Sequence, residues 1–198
     1  MRHVQTIGNL EGRWQGSTDR PISPLGELQL ERLAKRGRAL EASHVYTSPL
    51  PRAVKSAKAL NRHLGLPITE VPDLREIGMG DWEGRLIEEI QARSPLEYEE
   101  YRRQWHASRA PGGESVAEVY KRVTRALREI AEKHPGGSII AVAHGGAIRN
   151  VCAWVMGGPE KADGIVWCLN ASITTLDIDD EGRPHMAEYN DVSHLEGL

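Results

Sequence analysis

The chain has 198 residues, a formal net charge of -3 at pH 7 and two cysteines, Cys152 and Cys168. This length is typical of one domain, and the charge leaves no basic surface for nucleic acid. No apolar run approaches the roughly 20 residues of a membrane span, and the first residues lack the pattern of a secretion signal. We therefore expect residues 1–198 to form one cytoplasmic domain with free thiols and a small-molecule partner, without nucleic-acid or membrane contact; a homo-oligomer stays open.

The first half of the chain alternates between predicted helices and strands. Ser23 and Pro24 supply an N-cap and a first helical residue, and leucines at helical spacing predict a helix over about 24–40. A short strand over 44–47 leads into a helix that begins near Pro51, and another strand covers 67–71. Residues 73–84 are rich in glycine and acids, which predicts a loop that carries carboxylates.

The second half continues this alternation after a helical insertion. Residues 85–107 are predicted to be helical with a break at Ser94 and Pro95, and Tyr98, Tyr101 and Trp105 form a stripe that favours packing over ligand contact. Ser115 begins a long helix, 138–143 is an apolar strand, and a helix follows to about 156. The segments 171–178 and 185–189 predict a hairpin. These elements predict a three-layer α/β/α sandwich around a mostly parallel sheet, with a helical lid at about 85–113.

Two histidines stand where a short apolar or basic stretch runs into small and polar residues, the junction at which α/β proteins usually bind ligands. His3 follows a fixed cation, Arg2, and His144 precedes Gly145 at the start of a helix. Helix N-termini with small residues bind anions, so the implied ligand is a phosphate.

Three further residues are candidates on weaker grounds. Arg13 and Gln15 lie in a glycine-rich polar loop and are potential ligand donors, although such a loop is often only solvated. Arg52 follows a strand end and could point at the same crevice. Its position alone favours an exposed helix residue.

Taken together, five segments resemble those of the histidine phosphatase superfamily, also called phosphoglycerate mutase-like proteins. The resemblance covers nearly the whole chain, in the order expected for the family, and lies in the following segments: Arg2-His3 with Thr6 and Asn9; Arg13 to Gly16 with Asp19 to Pro21; Ser48 to Ala53; Leu74 to Glu76 with Gly80 to Gly84; and Ala143 to Gly146. Among phosphatases, Pro111 to Ser115 and the surrounding helices resemble α-ribazole phosphatase and broad-specificity relatives.

The resemblance implies a role for each matched residue. His3 would attack phosphorus and become a phosphohistidine, while Glu76 would protonate the leaving oxygen and then activate water. The phosphoryl oxygens would be held by Arg2, Arg52, His144, Asn9 and the Gly145 N–H. No metal or other cofactor is expected. Asp81 or Glu83 remains an alternative acid, and His44, His63, His106, His134, His185 and His194 are assigned to the surface or to packing.

Two departures from the family pattern bear on the site. Val4 stands where the family usually has glycine, and a branched side chain there could narrow the site. The apolar residues that normally precede Arg2 as a central strand are missing, so the first strand is expected to be truncated. Either residues upstream of Met1 or a reorganised sheet is expected to satisfy the neighbouring strands.

The resulting functional hypothesis is a metal-independent phosphomonoester hydrolase that acts on a small phosphorylated metabolite. The alternatives are a phosphoglycerate mutase, which returns the phosphoryl group to a sugar acid, and a non-catalytic phosphate-binding module. Resemblance to the mutases of this family would imply a longer chain with a basic segment after the acid loop. Here residues 86–113 are short and rich in glutamate, which favours hydrolysis.

Overall fold

The computed structural model describes residues 1–103 and 106–198. Three parallel strands form the centre of the fold: β1 (Val45–Thr47), β2 (Ile68–Glu70) and β3 (Ile140–Val142), in the order β2-β1-β3. Val45 of β1 lies opposite Ile68 on one side and Ile140 on the other. Each strand is shorter than the segment predicted for it, which was 44–47, 67–71 or 138–143.

The opening residues take the position next to β3. Arg2 forms a parallel bridge with Ala143, and the Ala143 N–H donates to the Met1 carbonyl at 2.9 Å. On the other side, the Arg2 N–H donates to the Ser172 carbonyl at 3.0 Å, just before an antiparallel hairpin of β4 (Ile173–Ile178) and β5 (Pro184–Asp191). The first strand is therefore reduced to one bridge, as the sequence predicts, and this bridge connects the parallel sheet to the hairpin.

Seven α-helices lie in the described part of the chain. They are α1 (Ile7–Leu10), α2 (Pro24–Gly37), α3 (Pro51–Asn61), α4 (Ile87–Arg93), α5 (Pro95–Arg103), α6 (Val116–Glu132) and α7 (Gly145–Val155). The short helix α1 was not predicted, because four residues carry no readable periodicity. The predicted helix 85–107 is two helices, of which α5 ends at Arg103, and Trp105 lies outside the described residues.

Side chains alternate between the two faces of the sheet and give the molecule its layers. On one face Val45 and Val142 pack with Ala53 and Ala57 of α3. On the other face the core contains residues of β1, α6 and α7, namely Tyr46, Val119, Val123, Ala126, Ala147 and Val151. The three-layer α/β/α prediction is confirmed. Both faces are covered by helices, as a mostly parallel sheet requires.

Helix α5 rests on an aromatic cluster. Tyr101 of α5 meets Trp82 of the acid loop edge-on, with ring centroids 5.2 Å apart, and Trp14 lies 5.7 Å from the same tyrosine. Tyr98 stands 6.0 Å from Trp82. The predicted packing role of Tyr98 and Tyr101 is therefore confirmed. None of the described helices combines the length and apolar character needed to cross a membrane.

Candidate active site

His3 lies at the end of the first strand and is 2% exposed. Its Nδ1 stands 2.7 Å from the Val4 carbonyl. Because a carbonyl can only accept, Nδ1 carries the proton and Nε2 carries the lone pair. The His3 carbonyl in turn accepts from the Ala171 N–H at 3.0 Å and from Asn170 Nδ2 at 3.1 Å, which fixes the backbone of this residue.

His144 is the N-cap of α7 and is fully buried, with its ring centroid 5.1 Å from that of His3. Its Nε2 lies 2.7 Å from Ser48 Oγ, and that hydroxyl oxygen accepts from the Leu50 N–H at 3.3 Å. The hydroxyl is then free to donate to Nε2, which leaves the proton on Nδ1. His144 Nδ1 is buried and has no partner among the described residues.

Both imidazoles are neutral at neutral pH. Burial, followed by the positive charges of Arg52 and Arg2, holds the pKa of His3 well below its usual range. The pKa of His144 is lowered by burial, then by His3 and by the same two arginines. The two guanidinium groups are thus close enough to act on both rings, and the neutral His3 retains the lone pair that a nucleophile needs.

Arg52, in the first turn of α3, is 1% exposed, so the positional expectation of an exposed helix residue is wrong. Its Nη1 donates to the Thr18 carbonyl at 2.8 Å and to Asp19 Oδ1 at 2.9 Å, and its Nη2 donates to the Gly16 carbonyl at 2.7 Å. Arg2 donates through Nη1 to the Cys168 carbonyl. These bonds orient the two guanidinium planes, whereas the Nε atoms of both arginines are buried and have no partner in residues 1–103 and 106–198.

Within the described part of the chain, three nitrogens around His3 are therefore buried and unpaired: Arg2 Nε, Arg52 Nε and His144 Nδ1. A buried donor without an acceptor costs about 1–3 kcal/mol, so such groups seldom stay unpaired without reason. A tetrahedral oxyanion would offer several acceptor oxygens at once. The arrangement can bind a phosphoryl group beside a nucleophilic imidazole.

Glu76 stands at the N-terminus of α7. Its Oε2 accepts from the Gly146 N–H at 3.1 Å and its Oε1 from the Ile77 N–H at 2.9 Å. A Cβ atom on Gly146 would lie 2.3 Å from Glu76 Oε1, so only glycine leaves room for the carboxylate here. This carboxylate is therefore fixed at Gly146, the residue that follows His144 and Gly145.

Arg122 of α6 holds the loop that carries Glu76. Its Nη1 donates to the carbonyls of Asp73 and Arg75 at 2.7 and 2.8 Å, and its Nη2 donates to the Glu76 carbonyl at 2.9 Å. Glu114 pairs with Arg122 Nη2 at 2.9 Å. Sequence reasoning gave Arg122 no role, although its place beside the apolar face of α6 could have signalled a buried cation.

Glu83 has a different environment from Glu76. Its Oε1 accepts from the Ser17 and Met79 N–H groups at 2.8 and 3.1 Å, and its Oε2 accepts from the Thr18 N–H at 3.0 Å. Gly16 at φ +53° turns the chain tightly against this carboxylate. Glu83 thereby fixes the loop whose carbonyls hold Arg52. Asp81, the other alternative acid, is exposed.

The other residues predicted to bind phosphate are Asn9, Gly145, Gln15 and Arg13, and the structure does not bring all of them to His3. Asn9 Oδ1 accepts from Asn170 Nδ2 at 3.2 Å, the amide that also holds the His3 carbonyl. Gly145 adjoins Arg2, whose Cζ would lie 3.4 Å from a Cβ atom at Gly145. Gln15 is buried, and its Oε1 accepts from Thr6 Oγ1 at 2.9 Å.

The structure does not bring the Arg13 guanidinium to this group. Its Nε donates to Glu11 at 2.7 Å, and its Nη1 donates to the Gly84 carbonyl at 3.0 Å and lies 3.4 Å from Glu89 Oε2. Val4 departs from the family glycine, yet its fully buried side chain packs with Leu33. Sequence reasoning also gave no role to Ser48 or Asn170, because their partners are distant in the chain.

The comparisons with known proteins agree with this geometry. The family model for the histidine phosphatase superfamily (branch 1) matches residues 1–192. Phosphoglycerate mutase-like protein 4 of Arabidopsis thaliana is 34% identical over 99% of this chain and 85% of its own length. An uncharacterized phosphatase, PhoE of Bacillus subtilis, is 30% identical over 100% of this chain and 96% of its own. The structure of Bacillus stearothermophilus YhfR superposes with a TM-score of 0.91 and 32% identity, covering 98% of this chain and 96% of that one. The chain therefore belongs to the histidine phosphatase superfamily, branch 1.

Proposed function

We propose that this chain is a metal-independent hydrolase of small phosphomonoesters that works through a phosphohistidine on His3. The observation that carries the proposal is the pair of neutral imidazoles, 5.1 Å apart, beside two arginines with unpaired buried Nε atoms. The named relatives include a phosphatase and a phosphoglycerate mutase-like protein, so the family alone does not choose between hydrolysis and transfer to a second acceptor.

In the first half-reaction the His3 Nε2 lone pair forms a bond to phosphorus as the bond from phosphorus to the leaving oxygen breaks. Glu76, in its protonated form, gives its proton to that oxygen, and the alcohol departs. Arg2, Arg52 and His144 hold the three remaining oxygens, with the Asn9 amide and the Gly145 N–H as further donors. Each unit charge about 4 Å from the phosphoryl group contributes about 4 kcal/mol at an effective dielectric near 20.

In the second half-reaction water attacks the phosphorus of the phosphohistidine. Glu76, now ionised, takes one proton from that water, and the bond from phosphorus to Nε2 breaks, which returns the electron pair to His3. Phosphate leaves, and Glu76 is again protonated. Transfer of this kind depends mostly on positioning and electrostatic stabilisation, which the fixed guanidinium groups and α7 provide.

The lid supports hydrolysis over mutase activity. Two of its arginines, Arg103 and Arg109, pair with Glu100 and Glu118 at 2.6 and 3.1 Å, so their charges are partly compensated. A mutase would need free positive charge near the acceptor to hold a sugar acid between the two transfers. We propose the segment of about 85–113, which contains α4 and α5, as a lid of this single domain.

The test is phosphoryl labelling combined with product analysis. A radiolabelled phosphomonoester, in the presence of chelator, is expected to give an acid-labile adduct in the burst phase and free phosphate at steady state. The His3→Ala variant should give neither, and Glu76→Gln should slow hydrolysis of alkyl esters most. Adduct that survives His3→Ala would refute the nucleophile. Isomerised 3-phosphoglycerate in place of phosphate, with a bisphosphoglycerate primer, would identify a mutase, and binding without either product would identify a phosphate-binding module.

A further inference from the structure

Three large apolar side chains are exposed on one short segment next to the candidate active site. Val166, Trp167 and Leu169 are 76%, 49% and 56% exposed, whereas Cys168 between them is buried. Scattered apolar residues are normal on a surface, but several in sequence beside a site usually contact a ligand or a partner. The proposed chemistry uses none of these side chains.

The backbone of this segment is tied down at three points. The Tyr189 hydroxyl donates to the Val166 carbonyl, and Arg2 Nη1 donates to the Cys168 carbonyl. The Leu169 N–H donates to Asn190 Oδ1 at 2.7 Å. The exposed side chains are therefore presented from a fixed backbone, and one of the three ties is an arginine of the phosphate site itself.

The Trp167 ring lies against the phosphate end of α7. A Cβ atom on Gly145 would stand 3.0 Å from Trp167 Cζ3 and 3.4 Å from Arg2 Cζ. At the next residue, a Cβ atom on Gly146 would stand 2.3 Å from Glu76 Oε1. The indole ring and the proposed proton donor thus flank consecutive residues of one helix turn.

This placement constrains where the leaving group lies. The oxygen that departs must sit at Glu76, because that carboxyl protonates it. The organic part attached to this oxygen then extends away from phosphorus, beside the ring that adjoins Gly145.

Arg149, a cation that lies over the ring, is held by backbone acceptors. Arg149 Cζ lies 4.9 Å from the Trp167 ring centroid, within the range of a cation–π contact. Its Nε and Nη2 donate to the carbonyls of Ala162 and Asp163 at 2.7 and 3.1 Å. The guanidinium therefore steadies the ring, and the exposed side chains of this segment are aromatic and aliphatic.

We propose that Trp167, flanked by Val166 and Leu169, binds the leaving group, and that the preferred substrates are monoesters of aromatic or large apolar alcohols. The inference rests on the proposed function for its assignment of the leaving-group side. It predicts that an aromatic substituent on a phosphoryl ligand improves binding, whereas a short polar one does not.

The experiment compares benzylphosphonate with methylphosphonate by calorimetry, so that binding is read without turnover. The same proteins are assayed for kcat/KM on benzyl phosphate and glycerol 3-phosphate. The variants are Trp167→Ala, Trp167→Phe and the control Met156→Ala, which removes a 53% exposed side chain just beyond the opposite end of α7.

The wild type and Met156→Ala should bind benzylphosphonate about tenfold more tightly than methylphosphonate, roughly the contribution of one aromatic contact. Trp167→Ala should abolish this ratio without weakening methylphosphonate, and Trp167→Phe should retain most of it. The kcat/KM ratio should follow the binding ratio. Equal affinities in the wild type, a preference that survives Trp167→Ala, or equal weakening of both ligands would overturn the inference. A binding preference without turnover of any monoester would instead refute the proposed hydrolase and leave Trp167 as a binding site for the aromatic group of a phosphoryl ligand.

Discussion

Glu83→Gln is the sharpest test of how Arg52 is held. The substitution keeps size and shape but replaces one carboxylate oxygen with an amide that donates. Glu83 Oε1 accepts from the Ser17 and Met79 N–H groups, and Oε2 accepts from the Thr18 N–H. In either orientation of the glutamine amide, its NH2 group would therefore point at a backbone N–H that needs an acceptor. The loop that carries the Gly16 and Thr18 carbonyls should loosen, and Arg52 should lose its orientation.

The magnitude follows from the bonds lost. A hydrogen bond to a charged group contributes about 1.5–3 kcal/mol, and because Glu83 is only partly buried, the lower end applies. A loss of about 1.4 kcal/mol at the phosphoryl site is a tenfold loss in affinity. We therefore expect the inhibition constant of orthovanadate to rise roughly tenfold in Glu83→Gln.

The substrate dependence separates this indirect role from acid catalysis. Arg52 would act on the phosphoryl group, so Glu83→Gln should lower kcat/KM by a similar factor for 4-nitrophenyl and alkyl phosphates. Loss of a general acid affects poor leaving groups most, and Glu76→Gln should therefore show a much larger loss with the alkyl ester.

The matched control is Glu88→Gln, the same chemical change at an exposed position of α4. Its vanadate affinity should stay within about twofold of the wild type, as for most surface substitutions. The reasoning fails if Glu83→Gln binds vanadate as Glu88→Gln does, or if its losses grow with the basicity of the leaving group, since the second pattern would make Glu83 the acid.

Three further predictions concern the neighbouring groups. In Gly146→Ala the new methyl would stand 2.3 Å from Glu76 Oε1, so the carboxyl must move; steady-state kinetics should show kcat reduced at least about tenfold with a smaller change in KM. Arg122→Met leaves three loop carbonyls and a carboxylate without their donor, and urea denaturation should show a loss of about 3–5 kcal/mol in the free energy of unfolding. The pKa values of His3 and His144 are lowered below 6.5 in the folded state, so the unfolded chain binds more protons as the pH falls. Stability should be complete above about pH 6.5 and decline below it by up to about 1.4 kcal/mol per pH unit for each ring, and a flat urea profile between about pH 8 and pH 5 would contradict the burial of neutral imidazoles.

Much of the fold and part of the site could be predicted from local signals. Alternating helices and strands give the layers, and residues 1–3 and 143–146 carry the motifs that bring His3 and His144 together. Both motifs lie at the ends of neighbouring parallel strands, and the parallel pairing brings His3 and His144 to the same edge of the sheet. A short first strand was also among the expectations, and the structure forms one bridge there, between Arg2 and Ala143.

Arg52 and Arg13 show what local signals could not decide. Arg52 looked exposed by position, yet the carbonyls that bury it come from a loop more than thirty residues earlier, as shown by the 34-residue separation of Thr18 and Arg52. Arg13 looked like a ligand donor, yet Glu11 and the Gly84 carbonyl compete for its guanidinium. In both cases the direction of a long side chain is set by acceptors that become neighbours only in the folded chain.

The buried charges explain why many polar groups hold the side chains around the few atoms that react. Arg2 and Arg52 both lie near His3 and would repel a proton on its ring, so the same cations that attract a phosphoryl dianion keep the nucleophile unprotonated before that dianion arrives. Such cations must not move into contact with the imidazoles or out to solvent. The backbone carbonyls of Gly16, Thr18 and Cys168 prevent both movements, because they accept from the Nη atoms of the two arginines. Each Nε stays unpaired among the described residues. When the dianion binds, its charge offsets the two guanidinium groups. Positive charge on the His144 ring then becomes less unfavourable, which strengthens its Nδ1–H as a donor to the transferring group. The electrostatic arrangement therefore favours a neutral His3 in the free protein and a stronger hydrogen-bond donor at His144 in the complex.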